Sequence, residues 1–155
     1  MNFGRAFIVA ACALSVVGCG SRAAPRQVAE VVRHIHELDG KTVSVAGYLG
    51  ECWGYECRLF VDKAGWREFE RAVAAKNYES WPIHLGIGGG SDRWFDTFDL
   101  KAALLAERYV VITGRVSDQC RYKTEPCCCL DRAPDLFPTS IRLGTRPTPR
   151  PSTSI

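Results

Sequence analysis

Val28, Val31, Val32, Ile35 and Leu38 fall at i, i+3, i+4, i+7 and i+10. Apolar positions at that spacing line one face of an α-helix, and Gly40 just beyond them predicts its stop. The period then changes to two. Thr42 to Leu49 alternates, with Val43, Val45 and Leu49 on one face of a strand. Gly47 inside that strand predicts a bulge or bend where the sheet curls. A loop over residues 50–56 leads to a second strand, Cys57 to Val61. Trp66, Phe69, Ala72 and Val73 return to helical spacing and predict a helix over 64–76. Ile83 to Ile87 reads as a short third strand entered through Pro82. Asp99 is placed to cap a short helix, Leu100 to Glu107. Tyr109 to Val116 is the strongest strand pattern in the chain. Phe137 to Leu143 is the last strand, with Pro138 at its start, where a missing donor is tolerated.

Five short strands, glycines in the first and fourth, and a helix before the fourth predict a mainly β fold with flanking helices, curled into a small barrel. Closure removes the exposed strand edges of a curled sheet. Two segments carry a resemblance. Leu38-Asp39-Gly40-Lys41-Thr42-Val43-Ser44-Val45-Ala46-Gly47-Tyr48 and Tyr109-Val110-Val111-Ile112-Thr113-Gly114, with Pro138-Thr139-Ser140-Ile141 near the end, resemble the OB-fold-like domains of bacterial secreted proteins and lipoproteins. The resemblance implies a five-stranded OB-like Greek-key barrel over residues 27–143. It implies no defined chemistry.

The front of the chain has a different pattern. Arg5 is the single charge before Arg22, and Ala6 to Val17 is an apolar run, with Ser15 its one polar residue, ending at the small residue Gly18. Twelve helical residues rise only about 18 Å, short of a bilayer core of about 30 Å. A positive start, a short apolar stretch and a small-residue site predict a signal peptide over residues 1–18. Val16-Val17-Gly18-Cys19 resembles the lipobox of bacterial lipoproteins. That resemblance implies lipidation of Cys19 after cleavage, and two or three acyl chains anchor stably where one does not. Gly20, rather than aspartate, after the lipid site favours the outer membrane, facing the periplasm. Residues 19–26 would be a tether, and the Pro-rich residues 144–155 a disordered tail.

Charge narrows the partners. The formal net charge is +3, falling to +2 without Arg5. From Glu30 to Ile141 there are 14 basic and 17 acidic side chains, a net of −3, while Arg22, Arg26, Arg142, Arg146 and Arg150 lie in the flanks. A nucleic-acid binder needs a basic face to release counterions. The expected partners are therefore the membrane, through the lipid, and an envelope protein or small ligand, with no nucleic acid.

Of the eight cysteines, Cys12 leaves with the leader and Cys19 takes the lipid, so six remain: Cys52, Cys57, Cys120, Cys127, Cys128 and Cys129. In an oxidising compartment an even set predicts a disulfide framework. Cys52 and Cys57 flank one hairpin tip and are the first expected pair. Cys120 would close onto the 127–129 cluster, with a cross-link from hairpin to cluster as the alternative. Motifs for other chemistry fail on spacing. No Cys-x-x-Cys pair is present for zinc or thiol exchange. Gly86-Ile87-Gly88-Gly89-Gly90-Ser91 lacks the Gly-Lys-Ser/Thr ending of a phosphate loop. Asp92, Asp96 and Asp99 lack calcium-loop spacing. His34 and His36 are two apart on their helix and splay away from each other. No catalytic residue and no cofactor is predicted. The alternative is a metal or thiol-redox site built from Cys127, Cys129 and His84. A hydrolase pairing His84 with Asp92 or Asp96 is a further rival, without a nucleophile motif behind it.

Overall fold

At Gly40 the backbone turns through φ +73°, a left-handed conformation that glycine adopts freely. This turn joins the helical start of the chain to the barrel. The computed structural model describes residues 23–52, 57–77, 79, 81–88, 97–118 and 135–146. The predicted N-terminal helix is two pieces, α1 (Val28–Arg33) and α2 (Ile35–Leu38), broken at His34 with φ −110° and ψ 28°. The break leaves the apolar face intact: Val28, Val31, Ile35 and Leu38 are all buried. A two-residue strand, β1 (Arg26–Gln27), precedes α1.

The remaining strands are β2 (Thr42–Leu49), β3 (Cys57–Phe60), β4 (His84–Ile87), β5 (Tyr109–Ser117) and β6 (Asp135–Leu143). They run in the order β2-β3-β4-β6-β5, and β5 pairs back onto β2. Within that ring only β4 and β6 are parallel; every other pairing is antiparallel. This is a closed five-stranded OB-like barrel, mainly β with flanking helices. Helix α3 (Lys63–Ala74) joins β3 to β4, and α4 (Thr97–Leu104) precedes β5. β1 adds to the outer edge of β2 in parallel.

The interior holds Val45, Leu49, Leu59, Leu85, Ile87, Val110, Ile112, Val116 and Leu136, with the α1–α2 face and Ala102 of α4 packed on them. Burying each of these larger side chains contributes about 1.5–3 kcal/mol. Two glycines permit the barrel's tight curvature. The ladder between β2 and β5 passes through Gly47 without interruption. No bulge occurs there; instead a Cβ at Gly47 would lie 2.6 Å from the Phe60 carbonyl oxygen and 2.8 Å from Val28. The irregularity falls between Thr113 and Gly114, where β5 and β6 shift register. Pro138 pairs with Gly114 at that bulge, so the proline sits inside a longer β6 and not at its start. A missing donor is accommodated at a bulge as it would be at a strand end.

Two other expectations are corrected. Val73 of α3 is 41% exposed, because the helix buries Trp66, Phe69 and Ala72 instead. Asp99 lies inside α4, which begins at Thr97. Asp62 caps α3, its Oδ1 accepting the Gly65 N–H at 2.9 Å.

Candidate functional site

Strands β3 and β4 are buried on both faces, which follows from where α3 lies. Leu59 and Leu85 point into the barrel, while Phe60 and His84 point out and pair with each other across the ladder. Trp66 and Phe69 of α3 cover that outer side, their rings 5.4 Å from Phe60. Trp81 closes the layer edge-on to Phe69 at 4.9 Å. The Arg58 guanidinium lies 4.8 Å above Phe69 and 5.5 Å from the Trp81 ring centre. In OB-folds the outer face of the second and third barrel strands is the usual binding face. Here α3 and its aromatic side chains occupy that surface.

His84 belongs to this layer. It is 8% exposed, and its Nδ1 hydrogen-bonds the Pro82 carbonyl oxygen at 2.8 Å. Burial pushes its pKa below the ordinary histidine value; nearby Arg58 adds to the shift and the Pro82 carbonyl opposes it. The rings of Phe60, Phe69 and Trp81 stand within 6 Å of it. Cys120, Cys127, Cys128 and Cys129, together with Asp92 and Asp96, lie outside the described residues, as does Cys19. Among the described residues no three His, Cys, Asp or Glu side chains converge as a metal site. His34 contacts Glu37, and His36 meets the Asp118 carboxylate. Cys52 and Cys57 are disulfide-bonded across the β2–β3 connection, as their positions at the hairpin tip predict. Phe98 packs against the main core from α4.

An open concavity lies on the side of the barrel formed by β1, β2, β5 and β6. Gln27, Ala46, Val111 and Arg142 form one register row across β1, β2, β5 and β6. This row floors a groove of about 530 Å³. Ala24 and Pro25 make one wall. The other is the end of β6 and the residues after it, Leu143 to Arg146, held by the Gly144 N–H donating to the Tyr109 carbonyl at 2.8 Å. Arg142 and Arg146 form no ion pair with any described residue, whereas Arg26 binds Glu30 at 2.7 Å. The groove can therefore offer two cations, an exposed leucine and backbone polar groups to an anionic ligand. Charge segregation into basic flanks was its sequence signal; that the two flanks meet was not readable there.

No family model matches the chain, and no curated protein matches it. Among solved structures it is similar to a chain described as "OBody AM3L15 bound to hen egg-white lysozyme". That similarity has 21% identity and a TM-score of 0.49, and covers 79% of this chain and 94% of the other.

Proposed function

We propose that the protein is a lipid-anchored binding module of the bacterial cell envelope, held by acylated Cys19 and facing the periplasm. The observation that carries this reading is the Cys52–Cys57 disulfide. Structural disulfides persist on the oxidising side of the membrane, the side to which a leader ending in Val16-Val17-Gly18-Cys19 would deliver the chain. A barrel with an open groove, and with its aromatic layer sealed under α3, supports binding as the activity. No helix among the described residues is long and apolar enough to cross a membrane, so on this reading the acyl chains supply the attachment.

Peptide mass spectrometry of the protein from its native membranes tests the reading. It expects cleavage before Cys19, acyl mass on that residue, and a Cys52–Cys57 cross-link before reduction. Cys19→Ser should release the chain from the membrane fraction. A wild-type chain that keeps residues 1–18, or carries no lipid on Cys19, would overturn the proposal.

A further inference from the structure

The walls of the groove come from the two ends of the domain, and one of those ends leads directly to the proposed anchor. Ala24 stands five residues after Cys19. Five residues of fully extended chain reach at most about 18 Å. Whatever path those residues take, an acylated Cys19 keeps this wall within that distance of the bilayer surface. An acylated Cys19 would thus hold the groove close to the lipid headgroups.

Its chemistry suits that position. All 17 acidic residues of the chain fall between Glu30 and Asp135, and none lines the groove. Arg142 and Arg146 are exposed and have no ion-pair partner among the described residues. Leu143 between them is 57% exposed. Cations beside an exposed apolar side chain match the boundary between phosphate headgroups and acyl chains. We infer that this groove docks the phosphate of an anionic phospholipid in the membrane that carries the Cys19 anchor, fixing the barrel's orientation on the bilayer. The inference rests on the lipid anchor proposed above.

The test uses the full lipidated chain reconstituted in vesicles of phosphatidylcholine alone or with one-quarter phosphatidylglycerol. Arginine modification by phenylglyoxal is read residue by residue by peptide mass spectrometry, which also reports the acyl mass on Cys19. Arg67 and Arg71 on α3 are internal controls. One basic side chain at an anionic surface gains about fivefold in association. Modification of Arg142 and Arg146 should therefore slow about fivefold on the anionic vesicles and not on the neutral ones. The protection should vanish in about 0.5 M salt, where screening shortens the attraction. Equal rates on both vesicles, or equal slowing of Arg67 and Arg71, would overturn the groove as a headgroup site. Protection on neutral vesicles by added glycerol phosphate alone would also overturn it, in favour of a soluble phosphate ligand. Lipidated Cys19 without groove protection refutes this inference alone; unmodified Cys19 refutes the anchor and the inference together.

Discussion

Gly→Ala should act with opposite sign at two glycines only 18 positions apart, Gly47 and Gly65. At Gly47 the new methyl group would lie 2.6 Å from the Phe60 carbonyl oxygen and 2.8 Å from both Leu59 Cγ and Val28 Cγ2. None of these can swing away. The carbonyl is backbone, and Leu59 and Val28 are fully buried. Strand β2 must separate from β3 or from α1, and overpacking of this kind costs about 1–3 kcal/mol. The entropy removed from the unfolded chain returns only about 0.4–1 kcal/mol. Gly65 sits in α3, where the same methyl group would meet nothing nearer than 3.8 Å. There the helix gains about 0.8–1 kcal/mol from alanine, and the Asp62 cap accepts from a backbone N–H that alanine retains. Urea titration of the wild type and both variants, followed by far-UV circular dichroism, measures the two changes. Gly65→Ala should raise the midpoint, and Gly47→Ala should lower it with the slope unchanged. A Gly47→Ala protein as stable as the wild type would refute the close approach of β2, β3 and α1. A destabilised Gly65→Ala would refute the open space around α3.

Further outcomes follow from the same packing. Reducing the Cys52–Cys57 bridge, or replacing both residues by serine, should cost about 2 kcal/mol, the loop-closure value for so short a ring; an unchanged denaturation midpoint under dithiothreitol would show that the bridge contributes nothing. Phe69→Ala should destabilise by about 3–5 kcal/mol and Val73→Ala by less than about 1 kcal/mol, because α3 buries the first and exposes the second; similar melting shifts for the two would contradict the orientation of the helix. His84, held neutral by burial, should make the fold acid-sensitive. Well above pH 6.5 it is neutral in both folded and unfolded chains and adds no pH dependence. Below that value the unfolded chain takes up the proton first, and stability falls by up to about 1.4 kcal/mol per pH unit until the folded histidine also titrates. Stability measured from pH 7.5 to 4.5 should lose part of its slope in His84→Gln; identical slopes would remove His84 as a cause.

Much of the architecture was written in the order of residues. The shift from helical to alternating spacing around Gly40 locates the first strand correctly, because both patterns have one buried face. β5 was equally legible, since Val110, Ile112 and Val116 alternate towards a single core. The Cys52–Cys57 bridge was legible because its partners are near in sequence, at one hairpin tip. Where local pattern failed, a distant part of the chain had intervened. β3 and β4 show no clean alternation because α3 covers their outer side, so Phe60 and His84 are as hidden as Leu59 and Leu85. Val73 has helical spacing yet faces outward, since only packing on the barrel decides which way α3 is rotated. Pro138 could be placed inside β6 only once the bulge opposite Thr113 and Gly114 was known.

The same division holds for the candidate site. Sequence alone determined that a short apolar run precedes Cys19, that basic flanks surround an acidic middle, and that there are enough alternating strands for a barrel. These are properties of neighbouring residues. Tertiary structure decided that Gln27, Ala46, Val111 and Arg142 form one row, which requires β1, β2, β5 and β6 to lie side by side. It also decided that the usual OB-fold binding face is filled by aromatic side chains while the side formed by β1, β2, β5 and β6 keeps an open groove. The physical reason is barrel closure: pairing β5 back onto β2 carries the end of β6 to residues 24–27, and no local preference of either segment encodes that meeting.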